Sequence, residues 1–196
     1  MKTSVYLALI ASVALLISCH GSDGTSSPPL SGMVSKGPVS SSRVTIYQLN
    51  SDGSRGSAIA GPFTTDTSGF WQSDTALSGG GPYEIEALGG SYVDEATGET
   101  VSIDADDGLL GVIKTGSVGM TVAVTPYTHS LNLSLKEQVA NQGLSIDDAV
   151  ERVVESAEAA YGFDITTTLP VNGIDDTQDK KAYVAMLGGM SRLIQN

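Results

Sequence analysis

The sequence predicts a mainly β chain with an α-helical end: an antiparallel β-sandwich followed by a helical segment of about three helices. Three observations carry that expectation. From Leu30 to Val124, short apolar alternations recur between turns rich in Gly, Ser and Asp, the pattern of short strands packed as two sheets. At Thr125-Pro126 the pattern changes; Thr is a good N-cap, and Pro at the first helical position loses no useful hydrogen bond. Beyond that point apolar residues recur at i, i+3, i+4 and i+7, the helical period.

Each element has its own local reason. In Ser42–Leu49, Val44 and Ile46 share one face while Arg43, Thr45 and Tyr47 share the other, and Asn50-Ser51-Asp52-Gly53 breaks the strand with turn chemistry. Phe63–Thr65 and Gly69–Gln72 flank a second turn, Asp66-Thr67-Ser68-Gly69. Ser78–Pro82 reads as a flexible connection, Tyr83–Ala87 alternates cleanly, and Gly89-Gly90 leads into Ser91–Val93. Later strands are expected at Thr100–Ile103, Leu109–Lys114 and Met120–Val124, with Trp71, Phe70, Phe63 and Tyr92 as the aromatic core. The first helix runs from Pro126 to about Asn141, with Leu131, Leu135 and Val139 on one side and Gly143 as its stop. Ser145 caps the second, with Asp148 three residues on; Ile146, Ala149, Val150, Val153, Val154, Ala157, Ala160 and Tyr161 form its apolar stripe, and Gly162 ends it. A third helix from about Thr177 places Tyr183, Met186, Leu187, Met190, Leu193 and Ile194 on one stripe. Gly188-Gly189 inside it costs about 1 kcal/mol each relative to Ala, so a break or close packing is expected there. The apolar stripe stops at Asn196 without a cap, as expected if relatives continue with another helix or domain.

The resemblance to known families is in two places. Met1-Lys2 followed by the apolar run Val5–Ile17 has the flanks and length of a secretory signal, too short for a permanent span of about 20 residues. Leu16-Ile17-Ser18-Cys19 at its end resembles the lipobox of bacterial lipoproteins. That resemblance implies cleavage before Cys19, acyl chains such as palmitate on its thiol and new amine, and a membrane-anchored protein outside the cytoplasm. His20 follows where an aspartate commonly signals inner-membrane retention, which favours the outer membrane where the host has one. Gly21–Pro29 reads as a flexible linker. The expected organisation is therefore 1–18 signal peptide, 19–29 linker, 30–124 sandwich and 125–196 helical segment.

Further along, Gly32-Met33-Val34, Gly37-Pro38-Val39, Val44-Thr45-Ile46-Tyr47, Thr65-Asp66-Thr67-Ser68-Gly69-Phe70 and Gly81-Pro82-Tyr83-Glu84-Ile85-Glu86 resemble carboxypeptidase-regulatory-like (transthyretin-like) domains. Gly89–Gly98 and Thr125-Pro126-Tyr127-Thr128 are similar to segments of lipoproteins that carry such a domain. The resemblance spans about half the chain and implies a small Ig-like sandwich that binds or spaces without catalytic residues. Related pilin-type sandwiches crosslink a first-strand Lys to a last-strand Asn with the help of an acid. Lys36, with Glu84 or Glu86, fits the first part, but Gly116–Val124 contains no Asn, so Lys36 is read as a solvated turn residue.

Composition narrows the chemistry. Lys and Arg number 10 against 22 acids, a net charge of −12, and removing Met1–Ser18 takes one Lys and no acid, giving −13. Nucleic acid is not an expected partner, because phosphate binding needs clustered cations. The lone cysteine excludes a disulfide framework and a cysteine-built zinc site. His129 is the only histidine away from the anchor, and no G-x-S-x-G, H-E-x-x-H or P-loop pattern accompanies it. Asp104, Asp106 and Asp107 before Gly108 are the metal candidate, since Ca²⁺ takes about 6–8 oxygen ligands. The alternative is an acidic interstrand turn; as an EF-hand loop the stretch fails, with Gly108 at its fifth position and Thr115 at its twelfth.

The expected function is a non-enzymatic binding or structural module of the cell envelope, with no cofactor. Its partners would be the membrane, through the anchor, and an envelope protein or glycan. The rims Ser78–Gly81 and Asp94–Glu99 are the expected contact loops. Two other readings stay open: a hydrolase or processing factor with a cleft around His129 between sandwich and helices, and a calcium-stabilised adhesion fragment.

Overall fold

The computed structural model describes residues 30–74, 77, 80–94, 97–116, 119–171, 173 and 176–194. The lipobox residues Leu16, Ile17, Ser18 and Cys19 and the linker lie outside the described residues, as do parts of both expected contact rims. Seven strands precede three helices: β1 Ser31–Val34, β2 Arg43–Leu49, β3 Arg55–Thr64, β4 Phe70–Gln72, β5 Tyr83–Val93, β6 Thr100–Ile113, β7 Thr121–Val124, α1 Pro126–Gln142, α2 Ile146–Tyr161 and α3 Gln178–Ile194. They form a β-rich mixed α/β fold with sheets ordered β4-β1-β7 and β3-β2-β5-β6. Pairing is mostly antiparallel, but β1 and β7 run parallel, which the expectation of an antiparallel fold did not include.

The two sheets share one apolar cluster. Val34, Trp71, Val122 and Val124 from the first meet Val44, Ile46, Tyr83, Ile85 and Ile113 from the second. Period-two alternation explains the choice: on β2, Val44 and Ile46 go in while Arg43 and Thr45 stay outside. The same rule corrects the expected aromatic core. Phe70 and Trp71 are adjacent in β4 and must face opposite ways; Trp71 is buried and Phe70 exposed. Phe63 stacks on Trp71 with ring centroids 5.8 Å apart.

Gly32 is a tight point of this core. A Cβ there would stand 2.7 Å from the Trp71 ring and 2.5 Å from the Val122 carbonyl oxygen, while β1 is pinned by β4 on one side and β7 on the other. Gly32→Ala is therefore expected to cost about 1–3 kcal/mol through overpacking. The measurement is a lower urea midpoint with an unchanged slope; an unmoved midpoint would show that the strand can shift aside.

The helices lean on the sheets and on each other. Thr125 caps α1 with a reciprocal capping box through Thr128, and Gly143 ends it in the left-handed conformation. Ser145 caps α2 and Gly162 closes it the same way. Leu135 and Val139 of α1 pack with Val150 and Val153 of α2 against Leu49 and Val112, on the outer face of the four-stranded sheet. Tyr183 and Leu187 of α3 cover Ala123 of β7 with Phe163 and Ile165. Tyr183 shares a 2.7 Å hydrogen bond with Thr125, and burial pushes its phenol well above the usual tyrosine range. Helix α3 passes through Gly188-Gly189 unbroken, and its buried face is Tyr183, Leu187 and Ser191; Leu193, expected on the stripe, is 79% exposed. Ala160 and Tyr161 are exposed too, so the α2 stripe ends one turn earlier than its period suggests.

Candidate functional site

The longest structure in the chain is the β5–β6 hairpin. Its strands have 11 and 14 residues, whereas β1 and β7 have four each. At about 3.3 Å per residue the shorter sheet cannot cover the hairpin's whole inner face. Two expected strand pairs turn out to be continuous: Tyr83–Ala87 runs on into Ser91–Val93, and Thr100–Ile103 into Leu109–Ile113. The junction is a large bulge. Between the pairs Leu88–Gly108 and Gly90–Ile103, Gly89 alone stands opposite residues 104–107. Gly90, at φ 97°, passes so close to the chain that a Cβ would meet the Ser40 carbonyl oxygen at 2.5 Å.

The acidic stretch Asp104–Gly108 is thus a bulge within β6, correcting the alternative of an interstrand turn. It divides the predicted ligands. Asp104 and Asp107 line a groove of about 400 Å³ with Lys36, Tyr92, Val101 and Ile103. Asp106 lines a different groove, of about 330 Å³, with Arg43, Gly89 and Ala105. Among the described residues no group of three or more acidic, His or Cys side chains is placed to hold a metal ion. Millimolar calcium is therefore expected to leave the melting temperatures of the wild type and of Asp106→Ala unchanged. A rise in the wild type that the variant loses would place calcium in the bulge after all.

Several other acids are committed to their own turns. Asp66 accepts from the Ser68 amide at 2.8 Å and the Phe70 amide at 3.0 Å; Asp52 and Asp164 do the same for Ser54 and Thr166. The Ser54 hydroxyl and amide hold Asp52 below the usual carboxylate range. These side chains serve as local caps.

The most unusual charge lies elsewhere. Glu84, on the outer face of β5, is fully buried. Arg55 Nε of β3 lies 2.6 Å from its Oε1, and Lys136 Nζ of α1 makes an ion contact with Oε2 at 2.6 Å. Arg55 also reaches Glu86 at 2.5 Å and stacks over the Tyr47 ring at 4.4 Å, while the Tyr47 hydroxyl donates to Glu86 at 3.3 Å. Asn132, one turn before Lys136, is fully buried with neither amide atom partnered. Burial, the largest single influence, pushes the Glu84 carboxyl up; the Lys136 and Arg55 contacts together outweigh it and hold it below the usual range. Alternation along Tyr83–Ala87 places Glu84 and Glu86 on the face opposite Ile85 but does not show that a helix will cover that face. The available signal was Lys136 itself, a cation within the Asn132–Leu135–Val139 stripe.

His129 shows no hydrogen-bonded nucleophile or acid at its Nδ1 among the described residues. Its Nδ1 is buried without a hydrogen-bond partner, and the neighbouring Ser130 hydroxyl is spent on the Pro126 carbonyl at 3.0 Å. Neither groove at the bulge includes it, nor does a third cavity of about 240 Å³ between Met33, Pro38, Pro170, Val171, Val184 and Leu187. Lys36 lies in the turn after β1, as expected, and stands 5.5 Å over the Tyr92 ring.

Fold and grooves thus define a β-rich mixed α/β protein with a groove of about 400 Å³ lined by the far part of its β5–β6 hairpin. Comparison with family models, with curated proteins and with solved structures finds no match for this chain. Among the described residues no helix is long and apolar enough to cross a membrane.

Proposed function

We propose that this chain is an extracytoplasmic lipoprotein, held to the bacterial envelope through an acylated Cys19, whose body is a non-enzymatic binding module. In this reading the two sheets are a transthyretin-like β-sandwich, the linker 19–29 lifts it from the bilayer, and the helices brace it. The β5–β6 hairpin presents the ligand-contacting surface.

One observation supports the binding reading above the others. The hairpin extends past the strands that face it, leaving grooves of about 400 and 330 Å³ on either side of one bulge. Cavities of roughly 300–1,000 Å³ with a few polar groups are the usual form of a small-ligand site. The chemistry of the anchor agrees with the rest of the chain: a body of net charge −13 once Met1–Ser18 is removed has no attraction of its own for anionic lipid.

The test is mass spectrometry of the mature protein purified from its native membrane. The expected amino terminus is Cys19, carrying two or three acyl chains. An intact leader, or a terminus at an unmodified thiol, overturns the anchored reading.

A further inference from the structure

We propose that the groove under the β5–β6 hairpin binds a short zwitterionic peptide, its free carboxylate at Lys36 and its free ammonium at Asp104 and Asp107. This rests on the binding-module reading above and names the ligand class for that site.

The argument begins with charges that share a wall without meeting. Lys36, Asp104 and Asp107 line the same groove of about 400 Å³, yet the ion pairs of the described residues involve none of the three. Lys36 is held in place instead by the Tyr92 ring, 5.5 Å below its ammonium. The acids hang from a bulge that leaves residues 104–107 opposite Gly89 alone, so both are exposed. The same groove has apolar lining as well: Tyr92 is buried, Ile103 half-buried, and Val101 is 36% exposed.

A ligand must answer all three parts. A metal cation would sit beside Lys36, which repels it. A simple anion would meet the acids as well as a protein of net charge −12. A neutral sugar would desolvate three charges and pair none of them, which is costly. A molecule carrying both signs and an apolar side chain pairs each charge and covers the apolar lining, and a peptide with free termini is the simplest such molecule. Charge placement then sets orientation, because a reversed ligand would put like charges together.

The experiment titrates the full chain with the dipeptide Ala-Leu, by calorimetry and by backbone amide shifts. The expected result is saturable binding with a Kd on the order of 10⁻⁴ M and shifts centred on Tyr92 and Val101. Acetylating the amine or amidating the carboxylate should each weaken binding about tenfold or more, the cost of a lost charge-assisted contact. Lys36→Met should bind as weakly as the amidated ligand binds wild type and should no longer distinguish amide from acid. Asp104→Asn with Asp107→Asn should lose discrimination against the acetylated form in the same way.

Equal affinity for capped and free peptides, shifts away from the groove, or no saturation at ~10 mM overturns the proposal. The capped ligands on wild-type protein keep the test decisive even if a variant fails to fold. An acylated chain that ignores Ala-Leu loses this inference and keeps its anchor. An unacylated chain that binds Ala-Leu loses the anchor and keeps the groove.

Discussion

Removing both cations around Glu84, in an Arg55→Ala/Lys136→Met variant, is expected to cost about 3–5 kcal/mol of folding free energy. The asymmetry of burial sets the size. Arg55 and Lys136 side chains are each 34% exposed, whereas the Glu84 side chain is 0% exposed. A cation that loses its partner can turn back toward water; the carboxylate cannot. Glu84→Gln alone should accordingly cost less, about 2 kcal/mol, since it leaves no orphaned charge inside. Adding Glu84→Gln to the double variant is expected to restore part of the lost stability. A triple variant no more stable than the double would show that lost side-chain packing, not the unpaired carboxylate, caused the damage.

The same network has a pH signature whose sign follows from the direction of the shift. Glu84 is held below its ordinary value in the native state, so it contributes fully above the unfolded glutamate pKa of about 4.3. That contribution is lost as pH falls through the lower native value. In the double variant the two cations that lower the Glu84 pKa are gone while burial, which raises it, remains; any stability then gained by protonation exists at low pH and is lost as pH rises. The gap between wild type and double variant should therefore be widest near neutrality and narrow below about pH 4. Urea midpoints at the two pH values measure it. A constant gap would mean that Glu84 titrates alike in both proteins. Glu86 and Tyr47 also touch Arg55 and lose that contact in the double variant, so the same pair compared in a Glu84→Gln background isolates the part due to Glu84.

What could be read from the sequence divides along the range of the interactions involved. Caps and stops act within four residues, so Thr125, Pro126, Gly143, Ser145, Asp148 and Gly162 place the ends of α1 and α2 within a residue or so. Strands with clean alternation, such as β2, are equally plain. Most of β3 escaped, since Gly56, Gly61 and Pro62 read as loop residues and the strand meets β2 through three successive irregularities that erase its alternation. Gly89-Gly90 and Asp104–Gly108 look like two breaks, yet they face one another as a single bulge in a continuous hairpin. That pairing joins residues far apart in the chain, and no local pattern announces it. The candidate groove inherits this obscurity. Asp104 and Asp107 could be singled out as chemically active, but not their separation from Asp106 or the groove they share with Lys36, which depend on the long-range pairing of the hairpin.

Replacing Cys19 by Ser is expected to move the protein almost wholly from the membrane pellet to the soluble fraction, a change on the order of 10⁴-fold or more in partition. The size follows from what the proposed acyl chains would contribute. Each buried methylene contributes roughly 0.8 kcal/mol, and a single chain binds only marginally, so firm anchoring needs two or three on one residue. A basic patch would be the usual substitute, but acids outnumber Lys and Arg by 22 to 10, which sets the body against anionic headgroups. Among the described residues no helix can span the bilayer. Under the proposed acyl anchor the attachment rests on one sulfur and its adjoining amine, and raising or lowering salt should not offset their loss. The measurement is membrane fractionation of the two proteins at low and high ionic strength. A Cys19→Ser protein that remains in the pellet, and is released by salt, would replace the acyl anchor with an electrostatic attachment to a basic partner.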